Sequence, residues 1–232
     1  MQDSVIHSII FGFGHRARSG KDLACDTIIE ERGKLYDIKH YSFGQELKRE
    51  VVANALASGG MLNLFSDGLR GEGCGFLQEN GNIIALPEWV QYDPEAPMDD
   101  PDCPLGKQRT LLQWWGTEYR RSVNQDYWLN KVALRISREK PEIALISDVR
   151  FPNEAYFCQK YGEVIKVHRP GMLKDASLSA VHISEAALAT FGSWDDIIVN
   201  DSTLGVFRER VLFSFDMLLT THPLQRPTLS SI

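Results

Sequence analysis

Apolar and polar residues follow one another along this chain in a pattern that predicts short buried strands, each followed by a helix. The first apolar run, Ser4 to Phe13, is rich in β-branched residues and predicts a strand buried on both faces. Helical spacing then begins at Lys21 and ends at Arg32. The same patterns predict strands over 36–43, 142–148, 163–168 and 194–199, and helices over 44–57, 152–161, 182–191 and 203–220.

This alternation predicts an α/β fold of three layers, with a mainly parallel five-stranded sheet between helices. Residues 58–108 interrupt it with half of the prolines and with nine acidic against two basic residues. Asn80-Gly81 between two apolar runs predicts a β-hairpin there. We interpret 58–108 as an acidic insertion into a single domain that spans 1–232, and 223–232 as a loose tail.

Composition narrows the class of protein. The 232 residues are 43% hydrophobic and carry a net charge of −6, whereas proteins that clamp nucleic-acid polymers are usually basic. No apolar run approaches the roughly 18 residues of a membrane-spanning helix. The four cysteines form no CxxC pair, which favours free thiols. We therefore expect a cytoplasmic protein with no membrane and no nucleic-acid polymer as partner.

The most informative segment is Gly14-His-Arg-Ala-Arg-Ser-Gly-Lys-Asp22, between a predicted strand and a predicted helix. Backbone N–H groups at such a helix N-terminus form a concave anion site, and Lys21 can bridge terminal phosphates. The strict phosphate-loop pattern fails at two positions. His15 stands where the first glycine belongs, and Asp22 replaces the hydroxyl that binds Mg²⁺. The alternative is a glycine-containing turn with a solvated cluster of cations.

A second motif runs from Asp148 to Glu154, directly after a buried strand. Ligands of parallel α/β sheets bind outside the carboxyl ends of the strands, so Asp148 is expected beside the phosphate loop. It could hold Mg²⁺ there, with Arg150 on a phosphoryl oxygen. The alternative is that Asp148 and Asn153 only cap the next helix.

Residues 109–138 are basic and predict two helices, separated near Asn124 to Asp126. Gln113, Arg120 and Arg121 fall largely on one helical side, where an arginine pair could bind a second phosphate ester. The alternative is a solvated face with the two indoles, at 114 and 115, in the core. Those indoles fit an apolar patch for a homodimer equally well.

Together these blocks resemble the phage-type deoxynucleoside monophosphate kinases, a branch of the P-loop nucleoside monophosphate kinases. The resemblance rests on 17–22, on 112–121 with Asp126-Tyr-Trp128, on 148–154, and on Ser184-Glu185 followed by Asn200-Asp201. The blocks occur in the family's order, and in that family Asp follows the lysine of the phosphate loop. The insertion at 58–108 matches nothing in the family.

The resemblance implies a P-loop kinase fold, ATP as phosphoryl donor, Mg²⁺, and a deoxynucleoside monophosphate as the small-molecule acceptor. It implies an ATP site formed by Gly14, His15, Arg16, Ala17, Arg18, Ser19, Gly20, Lys21, Asp22 and Asn200. It implies an acceptor site formed by Gln113, Glu118, Arg120, Arg121 and Arg150. It implies catalytic roles for Lys21, Arg18, Asp148, Arg150 and Arg169, with Asp22 and Asp148 holding the metal.

Two other functions compete with this interpretation. One is a different small-molecule kinase of the same fold, acting on dephospho-coenzyme A or phosphomevalonate. The other is a non-catalytic nucleotide-binding module. The paired arginines at 120 and 121 favour an acceptor site over such a module. If the chain is phage-encoded, the cytoplasm in question is that of the host.

Overall fold

The computed structural model of the chain describes residues 6–57, 76–79, 82–91, 93, 95–96, 106–171 and 187–222. The strands are β1 (Ile9–Gly14), β2 (Ile38–Tyr41), β3 (Phe76–Glu79), β4 (Asn82–Ala85), β5 (Ile143–Val149), β6 (Gly162–His168) and β7 (Asp196–Val199). The helices are α1 (Lys21–Arg32), α2 (Phe43–Ala57), α3 (Arg109–Gln113), α4 (Tyr127–Glu139), α5 (Pro152–Tyr161) and α6 (Leu204–Leu219). A π-helix, Trp114–Arg121, follows α3 directly.

The chain divides into two compact units, Met1–Ser42 with Leu129–Ile232, and Phe43–Trp128. The predicted single domain with an insertion over 58–108 stays a prediction. Most of that insertion lies outside the described residues, as does the predicted tail over 223–232.

The first unit is built on a five-stranded sheet in the order β2-β5-β1-β6-β7, in which every neighbouring pair is parallel. In the central pairs, Gly12 of β1 lies opposite Ile146 of β5 and Val164 of β6. The parallel α/β sheet predicted from the alternating pattern is therefore confirmed. All five carboxyl ends lie at one edge, which is where such sheets bind ligands.

Helices cover both faces of the sheet, because successive residues of β1 point to opposite sides. Phe11 and Phe13, fully buried, belong to one hydrophobic cluster with residues of α1 and α6. On the other face, Gly12 meets α5, and a Cβ at this glycine would clash with the Sγ of Cys158. The three predicted layers are thus present, and glycine at position 12 lets α5 approach β1.

Strand β7 lies at one edge of the sheet, and its outward polar groups are bonded to nearby side chains. The Asp196 carboxylate accepts the backbone N–H of Ile197 at 2.7 Å. The Arg210 guanidinium donates to the backbone oxygen of Val199 and to the Asp201 carboxylate, both at 2.6 Å. These bonds attach the edge strand to α6.

The described part of the second unit includes an antiparallel hairpin of β3 and β4, with Leu77 opposite Ile84. This confirms the hairpin predicted from Asn80-Gly81. Further along, the side chain of Gln108 accepts from the N–H of Asp93 at 2.8 Å and donates to its carbonyl at 2.9 Å. Gln108 is 1% exposed and thereby joins residue 93 to the start of α3.

Most predicted element bounds agree with the structure, and α1 and α5 agree to the residue. The helix predicted over 182–191 is wrong over 187–191, the part of it that lies within the described residues. Residues 187–190 form turns, and the N–H of Phe191 bonds to the oxygen of Leu188, three residues back. None of the helices in the described residues is both long and apolar enough to cross a membrane.

Candidate active site

The loop between β1 and α1 bends through three left-handed backbone positions, with φ of +104° at His15, +58° at Arg18 and +108° at Gly20. A side chain at Gly20 would also crowd Asn200, whose Nδ2 lies 2.8 Å from the position of a Cβ. His15 occupies the place of the first glycine in the strict motif. Its positive φ is a conformation that glycine adopts without strain and histidine rarely adopts. The loop therefore keeps a glycine-like bend with an imidazole on it.

Lys21 begins α1 and is only 8% exposed. Its ammonium donates to the backbone oxygen of Arg16 at 2.5 Å and contacts the hydroxyl of buried Ser19 at 3.4 Å. These bonds fold the lysine back across the loop. A cation at the N-terminus of a helix, beside a left-handed bend, is suited to bind a phosphate group.

Charged residues of both predicted motifs, 14–22 and 148–154, act on the ammonium of Lys21. Burial lowers the pKa of Lys21, and the positive charge of Arg150 lowers it further, while Asp22 and Asp148 raise it. The loop after β1 and the residues that end β5 therefore act on one another, as the sheet topology predicts. Bound phosphate would add negative charge beside two cations that repel one another.

Asp148, half-buried at the end of β5, accepts the hydroxyl hydrogen of Ser42 at 2.8 Å. Helix α5 is capped by Glu154, whose carboxylate accepts the N–H groups of Arg150 and Phe151 at 2.8 and 3.0 Å. Pro152 stands at the first position of α5. Asp148 is thus held by Ser42, the residue directly after β2, and Glu154 serves as the cap of α5.

The donors near Lys21 fit Mg²⁺. Asp22 and Asp148 supply carboxylate oxygens, and Mg²⁺ is commonly bound by one or two carboxylates together with phosphate oxygens and water. Among the described residues, no cluster of three or more His, Cys, Asp or Glu could hold a metal ion. The two carboxylates fit an Mg²⁺ ion that also takes phosphate oxygens and water as ligands.

Two histidines lie beside the loop. The rings of His15 and His168 meet edge to face with centroids 5.5 Å apart, and the Nδ1 atom of each is buried without a hydrogen-bond partner. Burial is the largest cause that lowers the pKa of His15 to about 4, followed by the charges of Lys166 and His168. His15 is therefore neutral at pH 7, and nearby cations oppose its protonation.

The remaining predicted site residues of the first unit fall into two groups: Asn200, which bonds to the loop, and side chains exposed to solvent. Asn200 follows β7 and donates from its side chain to the backbone oxygen of Ser19 at 2.9 Å, so it supports the loop. Solvent-exposed side chains belong to Arg16, Ala17, Arg18, Asp22, Arg150 and Arg169. Arg169 directly follows β6, at the edge of the sheet that carries the loop.

In the second unit, the segment predicted to bind an acceptor is a π-helix rather than an α-helix. A π-helix bonds residue i to i+5, and such turns occur frequently at functional sites. Residues five apart are therefore neighbours, and the guanidinium of Arg120 lies 4.6 Å from the ring centroid of Trp115. Trp115 is 0% exposed, so its indole lies in the core, and the five-residue spacing places the guanidinium of Arg120 against this buried ring.

Arg120 is enclosed by aromatic rings and a carboxylate. Its Cζ lies 4.7 Å from the ring centroid of Tyr127 and 5.3 Å from that of Tyr119. Its Nε donates to the Glu50 carboxylate at 2.7 Å, and the Trp115 indole N–H donates to the same oxygen at 2.9 Å. Cation–π contacts and a shared carboxylate fix the plane of the guanidinium.

The other predicted acceptor residues have different surroundings. Arg121 is buried and donates to the backbone oxygen of Gln125 at 3.0 Å. Glu118 is exposed and Gln113 is half-buried. Trp114 and Trp115, 7% and 0% exposed, are core residues, so they form no apolar patch for a homodimer. The homodimer itself stays a prediction.

Sequence analysis missed three supporting residues: Ser42, Glu50 and Glu154. Ser42 follows the end of β2, so the rule that places Asp148 at the carboxyl edge could have identified it. Glu154, two residues after a proline that starts a helix, carries the N-terminal capping signal. Glu50 carries no such signal, because its partners are 65, 70 and 77 residues away.

Comparisons with known proteins agree with the predicted resemblance. Residues 107–211 match the sequence model of a family described as deoxynucleotide monophosphate kinase. A putative deoxynucleotide monophosphate kinase of Acanthamoeba polyphaga mimivirus is 38% identical over 73 residues, 31% of this chain and 36% of that protein. A deoxynucleoside-5'-monophosphate kinase of Escherichia phage T5 is 45% identical over 47 residues, 20% of this chain and 19% of that protein. The chain thus matches about a third and a fifth of the lengths of these relatives.

Among solved structures, a dephospho-CoA kinase from Campylobacter jejuni is similar at a TM-score of 0.47 and 14% identity. The match covers 91% of this chain and 98% of that one.

Proposed function

We propose that the chain is a kinase that transfers the γ-phosphoryl group of ATP to a deoxynucleoside 5'-monophosphate, giving the diphosphate for DNA precursor synthesis. The observation that carries the proposal is the buried ammonium of Lys21, at a helix N-terminus within reach of the charges of Arg150 and Asp148. The family match over 107–211 and the names of the two relatives support the acceptor class.

On the donor side, the loop from Gly14 to Asp22 binds the triphosphate. Its N–H groups and the N-terminus of α1 attract phosphate oxygens, and Lys21 approaches the transferred group. Three exposed arginines add positive charge where charge spreads during phosphoryl transfer. They are Arg18, Arg150 and Arg169.

Asp22 and Asp148 would hold Mg²⁺ with the nucleotide, and the ion would offset the charge of the phosphates when bound. Ser42 orients Asp148 through the 2.8 Å hydrogen bond. Asn200 keeps the loop in place through the backbone oxygen of Ser19.

On the acceptor side, Gln113, Glu118, Arg120 and Arg121 bind the monophosphate, with Arg150 also on its phosphate. Arginine is suited to this role because its planar fork binds phosphate through two parallel hydrogen bonds. The acceptor phosphate is already an anion, so the transfer needs in-line alignment and charge stabilisation rather than a strong general base. The proposed partners are therefore small nucleotides in the cytoplasm, that of the host if the gene is a phage gene.

A coupled assay of ADP release tests the proposal. Mg-ATP is supplied with each deoxynucleoside monophosphate, with the ribonucleotides, and with dephospho-coenzyme A and phosphomevalonate as the competing acceptors. We expect turnover that depends on a deoxynucleoside monophosphate. ADP release without dependence on any acceptor would overturn the kinase assignment, and turnover only with dephospho-coenzyme A or phosphomevalonate would reassign the substrate.

A further inference from the structure

The carboxylate of Glu50, on α2, is the centre of a buried polar cluster in the second unit. One oxygen accepts from the Trp115 indole at 2.9 Å and from the Arg120 Nε at 2.7 Å. The other oxygen accepts from the Tyr127 hydroxyl at 2.7 Å. The carboxylate therefore joins α2, the π-helix and the first residue of α4.

Glu50 and Arg120 form an ion pair whose side chains are 10% and 14% exposed. Two charges are costly to withdraw from water, and a buried pair is often no more stabilising than apolar residues of the same volume. Stability alone is therefore a weak reason for this pair. A defined orientation of the guanidinium gives a stronger reason.

That orientation is fixed from several directions. The guanidinium lies between the rings of Trp115 and Tyr127, with its Cζ 4.6 and 4.7 Å from their centroids. The π-helix brings Arg120 over Trp115, since these residues are five apart. Tyr127 stays protonated as a donor, because burial, and next the bond to Glu50, raise its pKa to about 12.

We propose that Glu50 is a positioning residue for the acceptor phosphate, because it holds the guanidinium of Arg120 in the orientation in which Arg120 binds a nucleoside monophosphate. This inference rests on the proposed function and extends it to a residue outside the matched segment 107–211. An arginine that is already ordered loses less conformational freedom on binding a phosphate. Glu50 would therefore act on acceptor affinity, with no direct contact to the donor.

The test compares Glu50→Gln with Arg120→Ala, with the double variant, and with a matched control on the same helix. Glu46→Gln is the control, because Glu46 forms an ion pair with Arg49 three residues away at 2.8 Å. For each protein, the KM for the deoxynucleoside monophosphate, the KM for ATP and kcat are measured. The dissociation constant of the monophosphate is measured without ATP by calorimetry.

Glu50→Gln is expected to raise the acceptor KM and dissociation constant about tenfold, the scale of one hydrogen bond to a charged group. The KM for ATP should stay within about twofold of wild type, and so should all constants of Glu46→Gln. The double variant should bind the acceptor no more weakly than Arg120→Ala, because both changes remove one function. If Glu50→Gln does not fold, Glu50→Asp keeps the charge and should give a smaller rise in the same constants.

Three results separate the possible failures. A wild-type protein with no acceptor-dependent turnover overturns the proposed function, and this inference with it. Turnover in wild type, with acceptor constants of Glu50→Gln, or of Glu50→Asp in its place, equal to those of Glu46→Gln, overturns the role of Glu50 alone. An equal rise in the KM for ATP and for the acceptor also overturns it, since a general structural defect would act on both.

Discussion

The side-chain amide of Asn200 donates a hydrogen bond to the backbone oxygen of Ser19 at 2.9 Å, across 181 residues of sequence. The backbone N–H of Asn200 donates to His168 at the end of β6, at 2.7 Å. The residue after the edge strand therefore fixes the phosphate loop to the sheet. Asn200 therefore supports the loop through this hydrogen bond, in addition to the contact with a nucleotide that the resemblance implies.

Asn200→Ala should weaken binding of ATP by about tenfold, since a hydrogen bond that orders the loop is lost. The measurement is the KM for ATP in the ADP-release assay, together with the dissociation constant of ATP. Asp201→Ala is the control, because Asp201 pairs with Arg210 on the surface and has no bond to the loop among those described. A higher KM for the acceptor with an unchanged KM for ATP would contradict the role.

Lys21→Met should reduce kcat by about 100-fold or more, because it removes a cation from the transferred phosphoryl group. The fold should persist, since methionine has a similar length and is an uncharged side chain that is readily buried. Turnover and thermal melting are measured on the variant and on Lys34→Met, an exposed lysine just after α1. Wild-type turnover in Lys21→Met would remove this lysine from the site.

Much of the first unit was predictable, because local patterns determine it. The strand-to-helix transition at Lys21 and the short helix after Pro152 follow from periodicity and from proline at a helix start. The carboxyl-edge rule for parallel sheets also placed Asp148 near Lys21. These rules need only a few neighbouring residues and the direction of the strands.

The second unit was less predictable. The π-helix changes which residues are neighbours, and no periodicity in the sequence marks its turns. The contacts of Glu50 join residues 65 to 77 positions apart, so they depend on tertiary packing. Likewise, the positive φ of His15 contradicts the ordinary preference of histidine and becomes visible only in the folded loop.

Gln108→Leu should lower the free energy of unfolding by about 2–3 kcal/mol, because it leaves the N–H and carbonyl of Asp93 without their buried partner. Gln108 is 1% exposed and makes both bonds. Thr110→Val is the matched control, since the Thr110 hydroxyl makes an exposed pair of bonds to the backbone of Gln91, at 3.2 and 3.0 Å. Urea unfolding should give a loss below about 1 kcal/mol for the control. Equal losses in the two variants would contradict the assignment.

Protonation of His15 in mild acid should lower the free energy of unfolding of the protein. Its pKa is about 4 in the folded chain, against about 6.5 when unfolded, so the unfolded state binds more protons between these values. The contribution of neutral His15 to the free energy of unfolding is fully present above about pH 6.5, and it is lost as the pH falls towards 4. Because the ring is partly exposed, we expect a loss of about 1–2 kcal/mol after solvent screening.

The measurement for His15 is urea unfolding at pH 7 and pH 4.5, on wild type and on His15→Gln. Glutamine does not titrate, so the variant should lose less stability between the two pH values than wild type does. Identical losses would show that acid acts through other groups.

The bonds along β7 bear on how the protein behaves at high concentration. An open sheet edge is a template for pairing with another chain, and natural proteins protect such edges. Here the N–H of Ile197 and the carbonyl of Val199 already have partners in Asp196 and Arg210. A second molecule would have to break these bonds before its strand could pair. At these two groups, β7 therefore offers another strand fewer free hydrogen-bonding partners than an open sheet edge does.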